Sequence, residues 1–182
     1  MSAPFHLEAL SGAHERAAFA CGDEALDRYF QTQVTQDIRR NITHCFVAIE
    51  AASGCIAAYY TLAASSIPTP DLPPELSRRL PRYPAIPAVR IGRLAVDLRF
   101  RGRGLGAALL ADAVLRTLGA APAAFALVVD AKNDEAVAFY RHHGFLPFAS
   151  RPRTLFLPLA TAGRVLLPKT PGKQTTAPHS GP

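Results

Sequence analysis

Apolar residues recur at strand or helix spacing along most of the chain, and this pattern predicts the elements. Residues 3–10 fit a short edge strand, and residues 21–41 carry apolar positions at helical spacing. Segments 44–50 and 55–62 flank the short turn AASG and predict a β-hairpin. Farther along come a β-branched strand, a mostly apolar helix and a strand buried on both faces, at 86–97, 105–118 and 124–131.

The C-terminal part predicts a short helix and a closing pair of strands. Asn133 is the expected N-cap of a helix that ends at Gly144, and the strands follow at 145–150 and 153–159. The stretch 68–87 contains seven prolines, so it is not regular structure throughout. The order of elements predicts an α/β fold. We expect one domain over residues 1–167 and a disordered tail over residues 168–182, which lack large apolar residues.

The composition narrows the class of protein. With 49% hydrophobic and 19% charged residues in 182, it is typical of a soluble globular domain. No apolar run approaches the ~20 residues of a membrane span, and the N-terminus lacks the layout of a secretory signal. The three cysteines, Cys21, Cys45 and Cys55, show no zinc-site or disulfide spacing. We therefore expect a cytoplasmic protein with reduced cysteines, no metal and no membrane contact.

The net charge of +6 is concentrated in one segment. Residues 78–103 hold eight arginines and a single acid, Asp97. Arginine binds phosphate bidentately, so this segment predicts a basic face for a polyanion. A compositional bias toward arginine is the alternative explanation.

The sequence RFRGRGLGAALL, residues 99–110, places three glycines between the predicted strand and helix. Such a loop directs backbone N–H groups and the helix dipole at one point, which favours phosphate. An ATP-binding P-loop is excluded because Ala107 and Ala108 stand where Lys and Ser or Thr are needed. A dinucleotide-binding fingerprint does not match, because it needs GxGxxG at the start of a longer alternating fold, whereas this loop has GxGxG late in the chain. A tight strand–helix turn without a ligand is the remaining alternative to a coenzyme loop.

The pattern Arg101-x-x-Gly104-x-Gly106 resembles the pyrophosphate loop of the GCN5-related N-acetyltransferases, the GNAT family. Asn133, Phe139 and Tyr140, and then the pair Gly144-Phe145, extend the resemblance over roughly residues 89–157. It implies acetyl-coenzyme A (acetyl-CoA) as co-substrate. It also implies the GNAT fold, a mixed and mostly antiparallel central sheet with a splayed parallel pair at the acetyl-CoA loop, flanked by helices.

The resemblance also implies roles for single residues. Tyr140 would give a proton to the departing coenzyme A thiolate, since a phenol with a pKa near ~10 is protonated at neutral pH. Backbone groups of Leu94 and Val96 would pair with the pantetheine arm. His142 and His143 fit the last helical turn and predict a structural role. The residues implied to bind the cofactor are Leu94, Val96, Arg101, Gly102, Gly104, Leu105, Gly106, Asn133 and Phe139.

The N-terminal half narrows the resemblance to the acetyltransferase toxins of bacterial type II toxin–antitoxin modules. It rests on Phe19-x-Cys21-Gly22 with Leu26-Asp27, Tyr59-Tyr60, the proline-rich loop and Gly92-Arg93-Leu94-Ala95-Val96-Asp97, and spans residues 5–160. It implies acetylation of the α-amino group on charged tRNA. It further implies a homodimer, a ribbon-helix-helix antitoxin, and DNA contact only through the toxin–antitoxin complex.

Arginines outside the glycine loop are the candidates for tRNA contact: Arg39, Arg40, Arg78, Arg79, Arg90 and Arg93. On a regular strand Arg90 and Arg93 point to opposite faces, so at most one faces the acceptor unless a bulge intervenes. Two other functions stay open on the sequence. One is an acetyltransferase for a small amine, an antibiotic or a protein N-terminus, and the other is a non-catalytic acetyl-CoA sensor.

Overall fold

A seven-stranded sheet organises the computed structural model, which describes residues 4–165. The predicted tail at 168–182 lies outside the described residues. The strands stand in the order β1-β2-β3-β4-β5-β7-β6, and only β4 and β5 are parallel neighbours. This confirms the predicted mixed, mostly antiparallel sheet. The strand bounds are β1 Phe5–Ala9, β2 His44–Glu50, β3 Ile56–Pro68, β4 Ala85–Val96, β5 Ala126–Asp130, β6 Leu146–Pro147 and β7 Thr154–Pro158.

The parallel pair separates toward one end of the sheet. Residues 88–91 of β4 pair with residues 126–129 of β5, and the pairing stops there. Beyond that point β4 continues to Val96 beside β3 alone. The backbone edge of the last part of β4 is therefore open toward β5.

Helices cover both faces of the sheet. On one face α4 contributes Leu109, Leu110 and Val114 to the largest hydrophobic cluster, and on the other Phe30 and Val34 pack against β2 and β3. The helix bounds are α1 Glu24–Arg28, α2 Val34–Arg39, α3 Pro74–Ser77, α4 Leu105–Leu118, α5 Asp134–His142 and α6 Leu159–Val165.

Three predicted elements differ in form or extent from the structure, and a fourth element, α6, was not predicted. The predicted helix at 21–41 is two α-helices joined by a π-helical turn at Tyr29–Gln33. Strand β3 runs to Pro68, since its last six residues pair with the first half of β4. The small residues of that extension carry little apolar signal, so pairing with β4 decides their conformation. The predicted strand at 145–150 is reduced to the two residues of β6.

A β-bulge in β4 decides where two candidate arginines point. The register with β3 shifts between the pairs Tyr60–Leu94 and Leu62–Ile91, so β4 carries one extra residue there. Ile91 and Leu94 both belong to the α4-side cluster. Arg90 and Arg93 consequently lie together on the opposite face. The exception stated for a bulge therefore applies: the extra residue shifts the alternation of side chains by one position, so Arg90 and Arg93 share a face.

Candidate active site

A cavity of about 680 Å³ opens where β4 and β5 separate. Its walls are the end of β4, the loop that follows it, the first turn of α4, one face of α5 and residues 21–26 before and within α1. The end of β4 and residues of α1, α4 and α5 therefore surround one space.

Glycine is required at two loop positions that line the cavity. Gly102 and Gly104 both have a φ of +75°, a conformation that other residues adopt only with strain. A Cβ at either position would meet nothing within 4 Å, so a side chain there would project into open space. Gly106 has another role, because a Cβ there would approach the Phe139 ring to 3.0 Å. It allows α4 to pack closely against α5.

The first turn of α4 offers the cavity backbone N–H groups that have no acceptor within residues 4–165. Gly104 is the N-cap and supplies no side-chain hydrogen bond. The helix is 14 residues long, so its N-terminus carries a partial positive charge. Gly104, Leu105, Gly106 and Ala107 all line the cavity. The N–H groups of the first turn therefore form a site suited to an anion.

Buried polar contacts fasten the loop to the segment before α1. Asp97 is 1% exposed and accepts hydrogen bonds from the Ala20 N–H and from Arg99. These contacts outweigh burial and hold the Asp97 pKa below its usual value. Arg101 lines the cavity and donates to the Cys21 carbonyl. These contacts fix the loop after β4 against residues 20–23, and the two segments together form one side of the cavity.

Tyr140 lies on α5 with its side chain in the cavity wall. The residue is 9% exposed, and its ring packs between Phe139 and Phe145. The hydroxyl has no hydrogen-bond partner within residues 4–165. Over the same range no polar side-chain atom is both sealed from solvent and unpaired, so this hydroxyl is open to the cavity. Burial raises the Tyr140 pKa to about 12, so the phenol is protonated at neutral pH.

The start of α5 and the start of α1 meet across the cavity. The Asn133 side chain caps α5 by accepting from the Ala136 N–H at 2.8 Å, as predicted. Lys132 donates to Asp23 at 2.6 Å, and Asp23 also caps α1. The hydrogen bond from Lys132 and those from the α1 backbone hold the Asp23 pKa below its usual value. His143, predicted to be structural, bonds the Phe139 carbonyl and also lines the cavity.

The structure brings every residue that the resemblance implies for cofactor and catalysis to this one cavity. These are Leu94, Val96, Arg101, Gly102, Gly104, Leu105, Gly106, Asn133, Phe139 and Tyr140. Sequence reasoning missed Cys21, Asp23, Leu26 and Lys132 as lining residues. Nothing in their spacing places them there, since the contacts join segments about a hundred residues apart.

The candidate tRNA arginines fall into two groups. Arg90 pairs with Asp130, and the Arg93 guanidinium stacks 3.4 Å from the Tyr29 ring centroid. Both are half-buried and engaged within the protein. The other four lie exposed at the end of α2 and beside α3, and form no ion pair within the described residues: Arg39, Arg40, Arg78 and Arg79.

Residues 4–165 contain neither a metal-binding cluster nor a membrane-spanning helix. Three or more His, Cys, Asp or Glu side chains do not gather anywhere in this range in a way that would hold a metal ion. The helices of this range are also too short or too polar to cross a membrane.

The family model of the acetyltransferase (GNAT) domain matches residues 41–147. A protein from Sinorhizobium fredii named probable toxin TacT is 33% identical over 157 residues, which cover 81% of this chain and 87% of that protein. A Mycobacterium tuberculosis protein named tRNA-acetylating toxin is 34% identical over 150 residues, covering 81% of this chain and 88% of its own.

Three solved structures of a third protein, AtaT, have a similar fold. AtaT complexed with acetyl-methionyl-tRNAfMet has a TM-score of 0.80 and 30% identity, covering 86% of this chain and 96% of that one. An AtaT mutant toxin bound to acetyl-CoA and the C-terminus of the antitoxin AtaR has a TM-score of 0.74 and 27% identity, and the match covers 89% of this chain and 98% of that one. The AtaT–AtaR complex bound to DNA has a TM-score of 0.70 and 28% identity, and the match covers 87% of this chain and 97% of that one.

Proposed function

The chain belongs to the GNAT acetyltransferase family, and from this membership we propose that it is a toxin that acetylates the α-amino group of aminoacyl-tRNA with acetyl-CoA and so blocks translation. One observation carries the proposal. A cavity with an anion-binding helix N-terminus and an unpaired tyrosine hydroxyl lies in a chain that is 34% identical to a tRNA-acetylating toxin.

The cavity fits acetyl-CoA at both ends. Gly102 and Gly104 leave open space where any side chain would obstruct a pyrophosphate, and the first turn of α4 offers N–H donors to it. The open edge of β4 at Leu94 and Val96 lets an amide-rich pantetheine arm pair as an added strand. Arg101 supplies positive charge beside the loop, and Asn133 and Phe139 bound the arm from α5.

Tyr140 acts as the general acid. Acetyl-CoA supplies the acetyl thioester, whose carbonyl carbon the amine attacks as the carbon–sulfur bond breaks. The Tyr140 hydroxyl has no partner within the described residues and gives its proton to the departing sulfur. Its raised pKa of about 12 keeps that proton in place before the reaction. The amine nitrogen gives up one proton to water, water returns a proton to the Tyr140 phenolate, and coenzyme A leaves as the thiol.

The acids in the cavity favour an α-amino group as the acceptor. Asp23 and Glu135 line the cavity, and the lowered pKa of Asp23 makes it a weak base. An α-amino group has a pKa near ~8 and is partly neutral in the cell, whereas a lysine side chain near ~10.4 needs a base. A site without a strong base therefore suits the amino end of aminoacyl-tRNA.

The same membership extends the proposal to partners. An antitoxin of the ribbon-helix-helix class neutralises the toxin, and the complex contacts DNA and represses its own synthesis. AtaT, which has been solved with AtaR and with DNA, supports this arrangement. The active toxin is a cytoplasmic homodimer. Exposed arginines, Arg39 and Arg40 among them, meet the tRNA backbone.

Labelled acetyl-CoA incubated with total charged tRNA tests the function. We expect label in the charged fraction and none in tRNA that was first deacylated. Label transferred to free amines or protein N-termini instead would favour an acetyltransferase with a different acceptor, and absence of any transfer would favour a sensor.

A further inference from the structure

The eight arginines of residues 78–103 are not equally available to a ligand. Five are held by contacts with other described residues: Arg90 by Asp130, Arg93 by Tyr29, Arg99 by Asp97, Arg101 by the Cys21 carbonyl and Arg103 by Glu50. The other three, Arg78, Arg79 and Arg82, are exposed, and their side chains form no ion pair or hydrogen bond within residues 4–165. Within the described residues, the guanidinium groups of this segment that are not engaged by another group therefore lie beside α3.

These three arginines lie on a loop that is fixed at both ends, which we define as the 69–84 loop. The Thr69 N–H donates to the Pro84 carbonyl at 3.0 Å, and the Thr69 hydroxyl donates to the Tyr83 carbonyl. Asp71 accepts hydrogen bonds from Ser150 and Arg151 in the turn before β7. The loop is thereby held as a platform.

Apolar residues set which side of the 69–84 loop faces outward. Leu72 is 2% exposed and joins the cluster of Ile67 and Phe156, and Leu76 and Leu80 pack against the same cluster. Because these leucines recur every four residues, the arginines between them occupy the solvent side.

The outward side contains a second cavity, of about 620 Å³. Arg78 and Arg82 line it together with Tyr83, whose side chain belongs to a residue that is 60% exposed. Thr69 and Ser77 also line it. An exposed tyrosine beside two unpaired guanidinium groups has the composition of a nucleotide site: arginine binds phosphate bidentately, and aromatic rings stack on bases.

We propose that this cavity binds one nucleotide of the tRNA, with Arg78 and Arg82 on its phosphate and Tyr83 stacked on its base. The proposal rests on the proposed function, because it takes charged tRNA as the substrate. Arg79 lies outside the cavity lining and adds to the positive field.

The nucleotide site is far from the reacting amine. It adjoins Ala85, the first residue of β4, whereas the acetyl-CoA cavity begins at Leu94 near its other end. At ~3.3 Å per residue, the nine steps along β4 from Ala85 to Leu94 span roughly 30 Å. A tRNA that reaches both places contacts the 69–84 loop several nucleotides away from its aminoacyl end. The loop therefore contributes to tRNA affinity and not to the chemical step.

The test compares substitutions in the 69–84 loop. The variants are Arg78→Gln with Arg82→Gln, Tyr83→Ala, and the conservative Tyr83→Phe, which keeps the ring. A charge-matched control is Arg153→Gln with Arg164→Gln, two exposed arginines outside both cavities. Binding of deacylated total tRNA is measured across a salt series, together with KM and kcat for charged tRNA and Kd for acetyl-CoA.

Tyr83→Ala should weaken tRNA binding about 5- to 100-fold, and Tyr83→Phe should restore it, since stacking on one base contributes ~1–3 kcal/mol. The arginine double variant should weaken binding and reduce the salt slope by ~1–2. KM for charged tRNA should rise with kcat and acetyl-CoA affinity unchanged. Unchanged tRNA affinity in either Tyr83→Ala or the arginine double variant overturns the nucleotide site.

The same experiment separates this inference from the proposed function. If the wild type binds tRNA through the 69–84 loop but acetylates no aminoacyl-tRNA, the proposed function fails and the site stands as an RNA site. If the wild type acetylates charged tRNA and the loop variants match it, the function stands and the site is overturned.

Discussion

Replacing Tyr140 by phenylalanine removes one hydroxyl and leaves the packing of the ring intact. The ring lies against Phe139 and Phe145 at centroid distances of 5.2 and 5.3 Å, and these contacts persist in the variant. The hydroxyl has no partner within the described residues, so its loss should change the free energy of unfolding by less than ~1 kcal/mol. Any large loss of turnover is then chemical in origin.

The expected loss follows from the role of the hydroxyl as acid. A positioned acid contributes ~10²–10⁴-fold, which corresponds to ~2.7–5.4 kcal/mol of transition-state free energy. The assay is single-turnover acetylation of charged tRNA, with acetyl-CoA affinity measured by calorimetry on the same preparation. We expect the single-turnover rate constant of acetyl transfer to fall by ~10²–10⁴-fold. The acetyl-CoA Kd should stay within about twofold, because the phenol acts only on the leaving sulfur.

Tyr60→Phe is a matched control. The Tyr60 hydroxyl donates to Asp112 and lies outside the cavity lining. Its removal leaves a half-buried carboxylate without one donor, so stability should fall by ~1–2 kcal/mol while turnover at permissive temperature is kept. Near wild-type turnover by Tyr140→Phe, or equal losses in both variants, would refute the assignment of Tyr140 as the acid.

Four further outcomes are expected. Gly104→Glu should abolish acetyl-CoA binding, while Gly104→Ala should lower the affinity for acetyl-CoA only by the backbone strain at a φ of +75°. Equal acetyl-CoA affinities of the two variants would contradict the assignment of the glycine loop as the pyrophosphate site. Charge reversal at Arg39 with Arg40 should weaken tRNA acetylation and flatten its salt dependence without changing acetyl-CoA affinity, and parallel salt slopes would remove these residues from the interface. The pH profile of kcat/KM should rise with an apparent pKa near ~8, that of an α-amino group, and level off about one pH unit above it, whereas a rise that continues past ~10 would indicate a lysine acceptor. Stability measured by chemical denaturation should fall as pH rises from 10 to 12, because folding raises the pKa of Tyr29 and of Tyr140 from 10.0 to about 12; a flat profile would contradict the burial of these phenols.

Short-range patterns explain why the glycine loop, β5 and α5 were predicted well. The glycines at 102 and 104, the cap at Asn133 and the continuous apolar run of β5 are local signals, and each element appears where its own residues place it. The cavity then follows because the parallel pair separates beside the loop.

Contacts between distant segments explain what the sequence did not reveal. The bulge at Gly92–Arg93 depends on the Thr61 hydroxyl, which accepts from the Arg93 N–H, and it reverses the face of Arg93. The ion pair of Asp23 with Lys132 joins two segments that each look ordinary alone. Which arginines of residues 78–103 are engaged by other groups also depends on tertiary partners, and within the described residues this leaves the unengaged guanidinium groups on the 69–84 loop.

The position of the acetyl group on the product tests the central claim most directly. Charged tRNA is treated with the enzyme and acetyl-CoA and digested to its 3′-terminal aminoacyl-adenosine, which is then fragmented in a mass spectrometer. The account predicts one acetyl group on the α-amino nitrogen of the amino acid with wild-type enzyme, and its near absence with Tyr140→Phe. An acetyl group on the nucleotide or on an amino-acid side chain, or an unmodified aminoacyl-adenosine after complete turnover of acetyl-CoA, would contradict it.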